Sequence, residues 1–163
     1  MESPVPKPVP HVFANTPGHL IRLLYQRHNA IWHATVGDSI TPTQFAILNA
    51  VYVEGPLTQH EISVRIRTDA STMTQSASAL ERKKLVERSV NPADKRERRI
   101  ALTRTGRREY AQLLPKADEV QRILFSALHP DGHEAALVVL RDLAGVHADP
   151  AEGEVTPPPG PSS

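Results

Sequence analysis

Two helix starts are written into this chain, and a basic hairpin pattern follows them; that order leaves few folds open. Thr41-Pro42-Thr43-Gln44 is a capping box with proline at its first helical position. Phe45, Leu48 and Tyr52 follow at helical spacing, and Gly55-Pro56 breaks the chain. Thr58-Gln59-His60-Glu61 is a second capping box, with Leu57 placed to staple onto Ile62. The helix it opens is short, because Arg67-Thr68-Asp69 reads as a turn. Another helix begins near Asp69 or Ala70 and reaches about Lys83, with Met73, Ala77 and Leu80 on one face. Leu85 to Val90 and Arg98 to Leu102 then read as short strands joined by turn chemistry in Asn91-Pro92-Ala93-Asp94. Short helix, tight turn, second helix and hairpin together make a winged helix-turn-helix.

The expected class is mainly α with a small β-hairpin wing. Before the first box, Leu20, Leu23, Leu24 and Ile31 fall near one helical stripe starting at Pro17. After Thr103 a long helix carries Tyr110, Leu113, Leu114, Ala117, Val120 and Leu124, and Pro115 is expected to kink it. His129-Pro130-Asp131-Gly132 ends that helix, and a last one carries Leu137, Leu140 and Leu143. Residues 1–16 and the proline-rich 147–163 read as disordered tails, since they lack the apolar content to offset ordering entropy.

Charge is informative only where it is concentrated. The 163 residues sum to +1, so the molecule is no generic polycation. Between Arg82 and Arg108, however, eleven Lys or Arg face three acids, a local net of +8. A basic block on a hairpin beside a helix-turn-helix suits contact with DNA phosphates and the minor groove. Lys95, Arg96 and Arg98 lie at its centre. On the helix before it, the face opposite Met73 and Ala77 holds Ser71, Gln75, Ser78 and Arg82, with Thr72 and Thr74 on the flanks. Small hydroxyls, one amide and one guanidinium let a helix lie deep in the major groove, where glutamine pairs with adenine and hydroxyls serve several bases.

Other chemistry is poorly represented. There is no cysteine, which removes disulfides, thiol nucleophiles and thiolate metal sites. No nucleophile-base pair, phosphate loop or paired-carboxylate pattern points to an enzyme, and no cofactor is expected. His28 and His33, five apart, are a poor fit to two metal ligands on one helical face, so no metal is expected. No apolar run approaches the roughly 20 residues of a membrane span, and the N-terminus has no signal-peptide core, so a cytoplasmic location is expected.

The stretches TPTQFAILNAV and LTQHEISVRIRTDASTMTQSASALERKKLVERSVNPADKRERRIALTRTGR resemble the MarR family of bacterial regulators. The most specific piece is Asp94-Lys95-Arg96 followed by Leu102-Thr103-Arg104-Thr105-Gly106, which is similar to the family's wing motif. The resemblance covers about Pro17 to Leu143 and implies a homodimer on double-stranded DNA. It implies a DNA-binding lobe over 41–103 and dimerisation helices over 17–36 and 104–146. It also implies that Asp94 braces the wing on an arginine and that Arg96, or Lys95 beside it, reaches the minor groove. The sequence departs from the pattern at Ala70 and Gln75, where the family often has arginine.

Pro17-Gly18-His19-Leu20-Ile21-Arg22 further resembles the start of members that respond to aromatic catabolites. His19 and Arg22 sit three apart on one helical face, where arginine can clamp a carboxylate and histidine can bond a phenol. Trp32 and Phe45 are candidates for the apolar wall. The alternatives stay open here: His19 as a cap or packing residue, Arg22 in a surface ion pair, Trp32 in a dimer core. The expectation is a repressor released from a palindromic operator by a small aromatic carboxylate or phenol. The competing reading is a winged-helix module that binds protein or RNA without an effector; a protein-binding wing would expose an apolar patch rather than this basic one.

Overall fold

A computed structural model describes residues 16–90 and 98–146. The elements are α1 (Pro17–Thr35), α2 (Pro42–Glu54), β1 (Leu57–Thr58), α3 (Gln59–Arg65), α4 (Ala70–Arg82), β2 (Val86–Val90), β3 (Arg98–Leu102), α5 (Arg104–Phe125) and α6 (Gly132–Leu143). They fall into two compact units, one ending at Leu124 and the other starting at Phe125.

Both capping boxes form. Thr41 and Gln44 satisfy each other's backbone at the start of α2, and Thr58 and Glu61 do the same for α3. Each pair removes two orphan amides from the helix start. Helix α2 is the centre of the first unit: Gln44, Ile47, Leu48, Ala50 and Val51 are all buried along it. Around it pack Ile40, Ile62, Met73, Leu80, Ile100 and Val120, each nearly inaccessible to solvent. Helix α4 contributes Met73, Ala77 and Leu80, the face expected from spacing.

The sheet has three strands rather than a hairpin alone, in the order β1-β3-β2, all antiparallel. Leu57, expected only as a staple, pairs with Ile100 as a strand residue. Two residues are too few to display alternation, so periodicity could not reveal β1. Val86 pairs with Leu102 at the base of β2 and β3, and both are buried.

Helix α4 ends in a Schellman motif. The Leu85 amide donates to the Leu80 carbonyl and the Lys84 amide to the Glu81 carbonyl, with Lys84 in the left-handed region at φ 58°. The Thr103 hydroxyl donates to the Lys84 carbonyl at 2.7 Å and accepts from the Gly106 amide at 2.9 Å, so it caps α5 and ties it to the segment between α4 and β2. Helix α5 runs through Pro115 and ends at Phe125, a turn before the His129-Pro130 signal.

Trp32 is not left for a dimer contact. It is buried within one chain, and its indole donates to the Ile40 carbonyl at 2.7 Å. Leu20, Leu23 and Leu24 of α1 are exposed, as is Leu143 of α6; α6 buries no residue at all within its chain. No helix among the described residues is long and apolar enough to cross a membrane.

Candidate nucleic-acid interface

The helix-turn-helix is held at both ends of its short helix. Arg65, in the last turn of α3, grips Glu54 at the end of α2, with Nε 2.6 and 2.7 Å from the two carboxylate oxygens. The turn that follows contains Arg67 at φ 50°, a left-handed residue that reverses the chain between α3 and α4. The Thr68 amide closes it on the Ser63 carbonyl at 3.0 Å.

Asp69 then starts α4. Its carboxylate accepts the Thr72 amide at 2.8 Å and the Thr72 hydroxyl at 2.7 Å. Those bonds, the hydroxyl's first, hold the Asp69 carboxyl below its usual range. A depressed folded pKa means that the contribution is present above the unfolded value and is lost as pH falls through the folded one. The Thr72 amide shift in NMR is therefore expected to titrate with a midpoint below that of an ordinary aspartate, and Asp69→Asn to abolish the transition. A midpoint at the ordinary value would mean the cap is not formed in solution.

Along α4, Ser71, Thr74, Gln75 and Arg82 are exposed and Thr72 and Ser78 half-buried, so the expected polar face is the one turned outward. Its chemistry is narrower than residue types suggest. The Thr72 hydrogen is committed to Asp69 and the Thr74 hydroxyl donates to the Ala70 carbonyl at 2.8 Å. Both threonines therefore offer a methyl and an acceptor, not a donor, which suits a thymine methyl edge. Gln75 Nε2 rests 3.5 Å from Ser71 Oγ, so the amide leans toward the helix start rather than away from it.

The +8 segment divides in the same way. Arg88 is paired with Glu81 at 3.1 Å across α4 and β2. Lys83 reaches back to the Ser39 carbonyl and to Gln44 Oε1. Arg98 is exposed at the start of β3, facing Val90 across the ladder. Lys95 and Arg96, with Asp94, lie outside the described residues. Composition counted these cations together; tertiary contacts pair Arg88 with a carboxylate and hold the Lys83 ammonium on two neutral oxygens.

The four candidate effector residues form two pairs, not one cluster. Arg22 is exposed on α1 and pairs with His19 Nδ1 and with Gln26 Oε1, each at 3.2 Å. Trp32 and Phe45 are in ring contact at 5.4 Å. Ten residues of helix separate Arg22 from Trp32, about 15 Å of axial rise. Sequence reasoning missed the row that extends the second pair. His28 lies 6.2 Å from Trp32, Tyr110 stacks on Phe45 at 5.7 Å, and Tyr52 stacks on Tyr110 at 4.4 Å. The Tyr110 hydroxyl donates to Asn49 Oδ1 at 2.6 Å, and burial pushes its phenol above the usual range. His28 was findable, because it is one helical turn before Trp32; Tyr110 was not, because 61 residues separate it from Asn49. A cleft of about 190 Å³ beside Trp32 is also walled by His33, Asp38, Ile40 and Pro42.

Comparison with known proteins agrees with this architecture. A model of the MarR family matches residues 38–97. The HTH-type transcriptional repressor NicR of Pseudomonas putida is 31% identical over 127 residues, covering 77% of this chain and 80% of NicR. The PcaV transcriptional regulator of Streptomyces coelicolor, solved with its natural ligand, superposes with a TM-score of 0.80 at 29% identity, covering 84% of this chain and 97% of PcaV. Bordetella bronchiseptica BpsR, solved to explain regulation of its DNA binding by 6-hydroxynicotinic acid, gives a TM-score of 0.79 at 32% identity, covering 86% and 100%.

Proposed function

This chain belongs to the MarR family and is a DNA-binding transcriptional regulator; from that premise we propose that it acts as a homodimeric repressor released from a palindromic operator by a small aromatic acid. The observation that carries the effector is the aromatic row His28, Trp32, Phe45 and Tyr110 on the same helix system as the Arg22–His19 pair. The rings supply an apolar wall and the arginine a fork for a carboxylate; with about 15 Å of axial rise between them along α1, one small acid meets both only across the dimer, where α1 of a second copy approaches the rings. That BpsR responds to 6-hydroxynicotinic acid, which joins an aromatic ring to a carboxylate, supports the same class here.

On DNA, Ser71, Thr72, Thr74, Gln75, Ser78 and Arg82 read the major groove, and Lys95, Arg96 and Arg98 serve the wing. The lobe over 41–103 carries that surface, while 17–36 and 104–146 carry the dimer contact. Exposed Leu20, Ile21, Leu23 and Leu24 on α1, and Val138, Val139, Leu140 and Leu143 on α6, support the latter, because isolated helices that leave so much apolar area in water look for partners. A two-fold dimer presents two recognition helices to half-sites about one helical turn apart. An effector that binds one separation of the lobes better than the other shifts the population away from the operator-competent one.

Calorimetry with a panel of aromatic carboxylic acids, 6-hydroxynicotinic acid among them, tests the effector. One of the panel is expected to bind and to weaken operator binding, and Arg22→Ala to reduce its affinity at least tenfold, about the worth of one charge-assisted bond. No heat from any of them, with operator affinity unchanged, would sink the effector reading. Steep salt dependence of duplex binding is expected as well; a flat response, with no preference for a palindrome, would favour a protein- or RNA-binding module instead.

A further inference from the structure

Lys83 closes α4 as its C-cap residue and is the second cation of the basic segment. The residue is exposed, but its side chain folds back onto the protein rather than outward as a phosphate contact would. The ammonium donates to the Ser39 carbonyl, 44 residues away, and to Gln44 Oε1 at 3.0 Å. Gln44 is the one buried polar side chain among the described residues, and the same amide oxygen accepts the Thr41 amide in the capping box of α2. The adjoining residue of that connection, Ile40, is fully buried, and its carbonyl accepts the Trp32 indole from α1. Two successive carbonyls of the α1–α2 connection are thus held by side chains of two different helices' ends. Trp32 holds one and Lys83 holds the other. The two peptide planes meet at the Ile40 Cα, so only the φ and ψ of one residue lie between the carbonyl that Trp32 holds and the carbonyl that Lys83 holds.

We propose that Lys83 is a positioning residue for DNA binding: it registers the end of the recognition helix on the α1–α2 connection, and so couples the Trp32 side of the molecule to the operator. The proposal rests on the DNA-binding reading above. It assigns to Lys83 a contribution through geometry rather than through charge.

The test compares the full chain with Lys83→Met, which keeps most of the aliphatic stem, and with Gln44→Met, in a double-mutant cycle read by operator affinity across salt concentrations. Each single change is expected to weaken binding roughly tenfold, within the range of coupling mutations that touch no ligand. The double variant should lose little beyond the larger single, because both remove one shared contact. The salt slope should stay at the wild-type value. Trp32 is the sole tryptophan, so its emission reports the connection directly; it should shift in Lys83→Met while far-ultraviolet circular dichroism stays unchanged. Wild-type affinity in Lys83→Met overturns the proposal. So does a weakened Lys83→Met whose salt slope falls by about one unit with Gln44→Met unaffected, since that marks a phosphate contact. Failure of the wild type to bind any palindromic duplex would instead defeat the DNA reading, and the Trp32 emission would then decide the tether alone.

Discussion

Gly106→Ala is expected to destabilise the chain by about 3 kcal/mol, the upper end for overpacking a core, which for a protein of this length lowers the melting temperature by roughly 10 °C. A Cβ at this position would lie 1.9 Å from the Leu85 carbonyl oxygen and 2.8 Å from its carbon. Those are backbone atoms in the segment between α4 and β2, and that carbonyl already accepts the Thr103 amide at 3.1 Å. Nothing flexible stands there to move aside. Relief requires α5 to withdraw from the base of the sheet, which breaks the Thr103 cap and uncovers Tyr110 and Leu113. Gly132→Ala is the matched control, since nothing lies within 4 Å of a Cβ there. Thermal melts followed by circular dichroism give the answer. Equal melting temperatures for the two variants would mean that α5 can slide along β2 at no cost.

Gln75→Ala is expected to lower affinity for the preferred operator by one to two orders of magnitude, the worth of about 1–3 kcal/mol for one lost bidentate base contact. It should also relax preference at particular base pairs while leaving the salt slope alone. Gln75 is exposed in the middle of the outward face, between threonines whose hydroxyl hydrogens are already committed. It is therefore the strongest two-sided hydrogen-bonding group in that stretch of the face. Arg96→Ala is the comparison: it should weaken binding about equally on all sequences and reduce the salt slope by about one. Selection from a randomised duplex library at fixed salt separates the two. If Gln75→Ala keeps the wild-type sequence preference, α4 is not read through its centre.

These expectations depend on features of very different legibility. The two capping boxes were readable because each is a contact between residues three apart, and both formed as written. The outward face of α4 was readable for the same reason: a helix of known period with Met73 and Ala77 inward has only one other side. Strand β1 was not, since it exists only because Ile100 arrives beside Leu57. The dimer-core alternative for Trp32 fails for a similar reason. Its burial and its bond to Ile40 depend on how the connection after α1 folds back, which spacing along α1 does not encode.

The basic segment carries the same division. By itself the sequence determined that a winged helix-turn-helix was present, that its cations were concentrated from Arg82 to Arg108, and that small hydroxyls and one amide faced away from the core. Those are statements about residue type and local period, and local periods survive any packing that leaves the helices intact. Only the tertiary structure decided which of the groups remain available. Arg88 pairs with Glu81, Lys83 reaches Ser39 and Gln44, and Thr72 and Thr74 turn their hydrogens back onto their own helix. A cation's partner is chosen by distance in space, and the bonds of Lys83 span 39 and 44 residues of chain.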